Sequence, residues 1–503
     1  MPDERPSKAA PQGAKSICLI LLLSSICLAV ACSKLFSSKQ SERQKPVATA
    51  ETSGLSADTH PDSIEEKKRL AEIEKNFPLH GLVTGIQLKV TEQPHSESIP
   101  LGWLRIGSRI RLAKQPTKSS TCASGWYRVY PFGWACAGQG IEIGTELPDS
   151  TFAVTPAPQD AALPYSYYFV KEPFVPEYHR LPSRDEQRAA LGFANRYLEL
   201  EAKNRATAEK FLRGELSQEA KSPTVVRRYL ERGFYIAGAD QEMRAFRQFV
   251  RTVQGSYIKL AQLEERRGSG FHGVELGEQL QLPVAWAVRS ARAFTPKQRD
   301  DGSFRFVADE SSEPFERLAI LPWEGWERFG ESVLHRLKNG RYLKFWFAAV
   351  AERIDRPKEI GDREPWIHVD LSQQTLVLYR GSMPLYATLV STGLQGYDTP
   401  VGLFEIRSKH IADTMSDLGP EAGDERYKIE DVPWTQYFKG SLAIHGAFWH
   451  ERFGLRRSHG CINLAPLDAH YVFNQTWPEL PAGWHGISTD NTDLRKSKIV
   501  ITD

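Results

Sequence analysis

Charge of one sign is what this sequence most plainly lacks. Lys+Arg 64 stand against Asp+Glu 62 over 503 residues. No basic surplus is available to neutralise a phosphate backbone, so nucleic-acid binding has no electrostatic support. Cysteine is scarce, at 6 residues, which excludes a small disulfide-stapled scaffold. Long apolar runs are missing too: the leading one, Ile17 to Ala31, is 15 residues, short of the roughly 20 needed for a spanning helix. What is present, 41% hydrophobic and 11% aromatic residues, suits folded domains, and the length implies roughly two to four of them.

Arg5, Lys8 and Lys15 precede that apolar run, as in the charged and hydrophobic parts of a secretory signal. The run ends in Ala29-Val30-Ala31 before Cys32. This resembles the lipobox of bacterial lipoproteins, although Leu28 sits one residue before the place where that family usually has leucine. The resemblance implies that Cys32 is lipidated and becomes the mature N-terminus. The protein is then held to a membrane by an N-terminal lipid anchor, on the periplasmic or extracytoplasmic face of the cell envelope. Removal of residues 1–32 takes Cys18 and Cys27 with it and leaves Cys122, Cys136 and Cys461. Cys122 and Cys136 flank a short Trp- and Gly-rich segment in an oxidising compartment and read as a structural disulfide. Closing a loop of about 15 residues stabilises by roughly 3 kcal/mol. Cys461 is then the odd thiol, the mark of a reactive residue.

The composition divides the chain further. Residues 33–78 are polar and read as a flexible tether that ends in a charged, helix-compatible stretch from Ser63 to Lys75. From 79 to 147 short alternating strands, at Ile86–Val90, Ile110–Leu112 and Trp126–Tyr130, are punctuated by Gly and Pro as in a small β-barrel. Gly102-Trp103-Leu104 through Gly107, with Gly133-Trp134, resembles bacterial SH3-like modules, some of which bind cell-wall peptides; a plain spacer is the alternative. Residues 148–361 read as a mixed α/β connecting domain. In it, Ser183 and Glu186 form a capping box ahead of Ala190, Phe193, Ala194, Tyr197 and Leu198 at helical spacing. The aromatic stretch Tyr342 to Ala349 reads as core. From 362 to 503 the pattern is strongly β, of sandwich or barrel type. A hairpin is expected from Trp366–Leu371 and Thr375–Tyr379, joined through Ser372-Gln373-Gln374. Strands follow at Leu385–Thr392 and Val401–Ile406, and Ile499–Ile501 closes the sheet.

The chemistry concentrates in Ile444-His445-Gly446-Ala447-Phe448-Trp449-His450 and Ser458-His459-Gly460-Cys461-Ile462-Asn463-Leu464. A thiol attacks carbonyls as thiolate, and a nearby imidazole can take its proton and later return it to a leaving amine. Gly460 lets backbone approach a substrate closely, and the Gly460 and Cys461 amides are candidates to hold an oxyanion, each such donor being worth about 3 kcal/mol. Ser458-His459-Gly460-Cys461 after His445-Gly446 resembles the signature of the L,D-transpeptidase (YkuD-type) catalytic domain. Ser391-Thr392-Gly393 and Thr399-Pro400-Val401-Gly402 belong to the same likeness, which covers roughly residues 362–503. The resemblance implies a mostly β catalytic domain with no cofactor, acting on peptidoglycan stem peptides: acylation by a tetrapeptide with loss of D-Ala, then acyl transfer to an amine. It assigns Cys461 as nucleophile and His445 as base, with His445 oriented by a carbonyl near Gly446. His459 and Gly460 shape the oxyanion region, and Ser458, Asn463, Gly446 and Trp449 face substrate.

One position departs from that pattern. Many members have Arg where this chain has Asn463, so a bidentate contact to a substrate carboxylate is lost, and Arg452, Arg456 and Arg457 become candidates to supply it or form a solvated run. Trp449 and Phe448 either wall a cleft or pack. His445, His450, His459 and Cys461 include zinc-competent groups, but their spacing matches no common closed site, and no metal is expected. His368 and His470 read as structural or solvent-facing. Hydrolysis of tetrapeptides, linkage of proteins to the wall, and a non-catalytic wall-binding lipoprotein remain open beside transpeptidation.

Overall fold

The computed structural model describes residues 61–148, 160–216, 219, 221–417, 427–490 and 492–503. The expected signal segment with Cys32, and the tether up to residue 60, lie outside the described residues. The charged stretch that follows is the helix Pro61–Asn76. Among the described residues no helix is long and apolar enough to cross a membrane.

The C-terminal region is built on the expected hairpin. Strands Pro365–Asp370 and Thr375–Arg380 pair antiparallel, and Met383–Leu389 pairs with the second. Lys498–Thr502 lies parallel to Pro365–Asp370 and antiparallel to Gly402–Glu405. Pro365–Val369 and Thr375–Tyr379 are buried at every residue, which explains why they read as continuous apolar runs: both faces of the sheet are covered. One face packs into a core with Trp434, Phe438, Ile444 and the helix residues Val472 and Phe473; the other meets Trp286, Ala351 and Phe453. A second group of strands, Ser408–Asp417, Tyr427–Lys439, Leu442–Gly446 and Ile462–Leu464, runs antiparallel except for its last pair, which is parallel. Helix Pro466–Gln475 follows.

Ahead of this region one plan recurs three times. A hairpin with a left-handed glycine leads into a single 3-10 turn and a closing strand, which pairs antiparallel with the first strand of its own unit. In the first unit Ile141–Gly144 closes on Leu79–Val83 after Gly133 (φ +87°) and the turn Ala137–Gln139. In the second, Leu263–Arg266 closes on Ser166–Val170 after Gly255 (φ +80°) and Leu260–Gln262. In the third, Ala348–Ala351 closes on Val284–Ala287 after Gly340 (φ +73°) and Phe345–Phe347. The same i to i+4 main-chain bond shuts each hairpin: Val129 N–H to Gly133 O, Thr252 N–H to Ser256 O, and Leu337 N–H to Arg341 O, at 2.8–2.9 Å. Closing a short sheet on itself removes the free edges that small β units otherwise expose.

The mixed α/β domain expected over 148–361 is therefore corrected: among its described residues it is two small β units, with α-helix confined to one insertion. That insertion is Arg184–Lys203, started by the expected Ser183/Glu186 capping box, and Arg205–Leu212, capped by Asn204. The strands here are mostly 2–7 residues long, too short for periodicity to separate them from buried helix segments. Cys122 and Cys136 are joined by a disulfide in the first unit.

The units lean on the C-terminal region through main chain as well as side chains. Pro100–Arg105 of the first pairs with Gly486–Ser488. Tyr235 of the second bridges to Ile429. Tyr167 donates to Asp431 O at 2.6 Å and stacks on Phe448 with ring centroids 3.9 Å apart. Arg105 forms an ion pair with the buried Asp431, a residue held at φ +55°.

Candidate functional site

Leu442–Gly446 and Ile462–Leu464 are parallel neighbours, with Ile444 opposite Ile462 and His445 opposite Asn463. Side chains alternate along a strand, so Cys461, one residue before Ile462, points to the face shared by Asn463 and His445. It sits diagonally across from His445, a relation that places Cα atoms about 7–8 Å apart. The thiol lies over the start of the His445 strand: its sulfur is 3.9 Å from Ser441 O, and the Ala443 N–H is directed to it. Cys461 is half-buried and is the free cysteine among the described residues.

His445 is buried, and its Nδ1 is 3.3 Å from Gly446 O. A carbonyl only accepts, so Nδ1 carries the hydrogen and Nε2 keeps its lone pair for a proton. Burial holds the imidazole down at about 4, with the Gly446 bond opposing. Burial likewise pushes the Cys461 thiol above its ordinary range, while the Ala443 N–H favours the thiolate. Both groups rest uncharged near neutrality. Burial of both groups favours a neutral thiol and a neutral imidazole over a preformed thiolate–imidazolium.

The turn before Cys461 is tied from inside. Ser458 Oγ donates to Cys461 O at 2.5 Å and accepts from Gly460 N–H at 3.1 Å. Gly460 has φ +103°, and a Cβ there would meet Leu442 Cδ2 at 2.9 Å. Thr399 Oγ1 donates to Gly460 O at 2.9 Å and accepts from Gly393 N–H at 3.0 Å. Thr392 O accepts from both Arg457 and Ser458 N–H groups, at 2.8 and 2.9 Å. The two motifs Ser391-Thr392-Gly393 and Thr399-Pro400 are thus the clamp that shapes the cysteine turn.

Several expected roles change in this light. The Gly460 amide is taken up by Ser458, so of the two expected oxyanion donors the Cys461 amide is the one left for that task. Ser458 serves the turn through the two bonds of its hydroxyl to Cys461 O and Gly460 N–H. Gly446 orients His445 through its carbonyl, and its missing Cβ leaves room for Pro433 and Ala469, 3.1 and 3.3 Å from where one would stand. Trp449 packs over His445, ring centroids 5.6 Å apart and 30° between planes, and also meets Phe448 edge-on. Asn463 is buried and lies 2.9 Å from His450 Nε2. Arg452 N–H donates to His450 Nδ1 at 3.1 Å, so Nε2 carries the hydrogen; the Asn463 amide nitrogen stands facing it, and turning that amide over brings its otherwise unpartnered oxygen to accept. Asn463 supports His450, whose ring is held neutral, down at about 3, first by burial and then by Arg457.

His459 does reach the surface beside the thiol, edge-on to Tyr397 (centroids 4.3 Å) and stacked against Tyr427 (5.7 Å). Arg456 pairs with Asp398 and Asp503; Arg452 and Arg457 are exposed and act on His450. Among the described residues no three His, Cys, Asp or Glu side chains are grouped to hold a metal. The sequence did not single out Tyr427 and Tyr437, whose phenols are pushed up by burial first and by a Cys461 thiolate when one forms. They lie 34 and 24 residues before it, on a strand that periodicity cannot connect to the cysteine.

Residues 364–482 match the family model for the YkuD L,D-transpeptidase catalytic domain. A curated relative, a putative L,D-transpeptidase YciB of Bacillus subtilis, is 28% identical over 128 residues, 23% of this chain and 62% of its own. An Enterococcus faecium L,D-transpeptidase structure aligns with 28% of this chain and 50% of its own, at 21% identity and TM-score 0.22. One from Mycobacterium smegmatis aligns with 42% and 78%, at 17% identity and TM-score 0.23. The chain thus spans under two thirds of the length of both the Bacillus relative and the Enterococcus structure.

Proposed function

Residues 364–482 are a YkuD-type L,D-transpeptidase catalytic domain, and from that premise we propose that the protein is a peptidoglycan acyltransferase with Cys461 as nucleophile and His445 as base. The supporting observation is the parallel pairing that sets His445 opposite Asn463 and puts Cys461 on the same face. His445 Nε2 takes the thiol proton as sulfur attacks the carbonyl of a stem tetrapeptide. The oxyanion falls to the Cys461 amide, and the imidazolium returns its proton to the departing D-Ala amine. The thioester then passes to an amine, forming a 3-3 cross-link. Arg452 and Arg457 are the exposed cations that meet donor carboxylates. The three closed β units are SH3-like modules holding the enzyme to the wall, and Cys32 carries a lipid that keeps it in the envelope.

The test is incubation of the full chain with stem tetrapeptide, D-Ala being followed by mass spectrometry. D-Ala appears with the wild type and is lost in Cys461→Ala and His445→Ala. Release that survives Cys461→Ala, or none from the wild type, removes the reading.

A further inference from the structure

The second β unit carries a hairpin tip that its own fold does not account for. Strands Tyr235–Arg244 and Arg247–Thr252 pair with Arg244 opposite Arg247, so Ala245-Phe246 alone make the turn. Both are left-handed, at φ +47° and +61°. A two-residue turn of this kind normally takes Asn and Gly, because a bulky side chain is strained there. Phe246 is nonetheless 95% exposed, and Met243, just before the turn, is 67% exposed. They are the two most exposed large apolar side chains among the described residues. Packing inside the chain explains neither, and a strained position that persists points to a partner outside it.

Cations surround the tip. Arg244 donates to Leu181 O at 2.7 Å, and Arg247 to Pro182 O at 3.0 Å and Gln187 Oε1 at 2.6 Å. Those bonds bring the exposed Arg184 to the same end of the unit. The nearby acids are already matched, Glu242 by Arg251, Glu186 by Arg180 and Asp185 by Arg188. Arg184, Arg244 and Arg247 have no acidic partner among the described residues. Two side chains on a narrow tip offer far less than the ~800 Å² per partner of a stable protein interface. They suffice as a wedge in a headgroup layer, where arginines meet lipid phosphates.

We propose that this tip is a membrane contact: Phe246 and Met243 enter the acyl boundary of an anionic phospholipid surface, and Arg184, Arg244 and Arg247 meet its phosphates. The proposal stands apart from the acyltransferase reading and from any lipid on Cys32. Tyr235, at the foot of the hairpin, bridges to Ile429 of the C-terminal region. At about 3.3 Å per residue the strand to Arg244 reaches up to about 30 Å. The hairpin is thus a strut that sets the height of the catalytic region above the lipid.

The experiment places p-benzoylphenylalanine at position 246 of the full chain, mixes it with phosphatidylglycerol–phosphatidylethanolamine vesicles, and reads photo-adducts by mass spectrometry. The same group at the exposed Ala239, on the shaft of the hairpin, is the reference. Whatever else holds the chain to the vesicle acts equally on both. Lipid adducts at 246 are expected to exceed those at 239 about tenfold, and to fall about fivefold on phosphatidylcholine or with Arg184→Gln and Arg244→Gln together. With the group moved to Met243, Phe246→Gly is expected to cut the lipid adduct about fivefold while Tm holds or rises, glycine relieving the turn. Adducts to protein in place of lipid, equal yields at 246 and 239, or yields indifferent to lipid charge overturn the contact. A Tm lowered by Phe246→Gly shows a structural phenylalanine and overturns it too.

Discussion

Ser391 and Asn463 exchange a pair of main-chain hydrogen bonds, each 2.9 Å. That bridge joins the end of the sheet carrying Ser391-Thr392-Gly393 to the strand that follows Cys461. Together with the Thr392 and Thr399 contacts it fixes the cysteine turn from two directions, and the position of the sulfur follows from main chain more than from side-chain packing.

Because His445 and Cys461 rest uncharged, the pH response has a definite sign. Below about 4 the His445 ring is protonated and cannot accept the thiol proton, so kcat/KM falls on the acid side only there. The thiol is raised, so alkylation by iodoacetamide should keep climbing past the ordinary cysteine range of about 8.5. A reactive plateau at acid pH in stopped-flow alkylation would reveal a resting ion pair and sink this account.

Gly460→Ala places a methyl group 2.9 Å from Leu442 Cδ2 on a backbone at φ +103°. Strain of that kind costs about 1–3 kcal/mol, and it acts where the sulfur is aimed. Thermal unfolding should drop by several degrees, and acyl-enzyme formation should fall much further than folded fraction alone explains.

Asn463→Leu leaves the buried His450 Nε2–H without its partner at 2.9 Å. An orphaned buried donor costs about 1–3 kcal/mol. The urea midpoint is expected to move down with an unchanged slope, and an unshifted midpoint would show that the amide supports nothing.

Arg105→Met removes the cation from the buried Asp431 and leaves a carboxylate that desolvation penalises, by about 3–5 kcal/mol for a broken buried pair. Arg105→Met with Asp431→Leu should recover most of that loss in a double-mutant cycle. Additive losses would show that the two residues act independently.

Much of the catalytic region was legible because its signals are local. The hairpin around Ser372-Gln373-Gln374 follows from two apolar runs with a polar joint, and Ile499–Ile501 pairs inside the sheet as its β-branched residues suggest. His445 and Cys461 stood out through residue type and family likeness. The threefold recurrence of one β unit was not legible, since the shared features reduce to a turn glycine (Gly133, Gly255, Gly340) and a 3-10 turn, while the packed residues differ. The inward contacts of Ser458 and Asn463 were not legible for a different reason. A motif marks which residues matter near a nucleophile, but whether a hydroxyl or amide faces outward or inward depends on partners distant in sequence, such as Thr399 and His450.

The bridge between Cys122 and Cys136 bears on the fate of Cys461, the free thiol among the described residues. The two bridged cysteines are 14 residues apart, while Cys461 follows more than 300 residues later. Ring closure over the shorter span is favoured by about 3 kcal/mol of chain entropy, and that span leaves the ribosome first. In an oxidising compartment this entropy favours joining those two sulfurs to each other over capture of Cys461 by either.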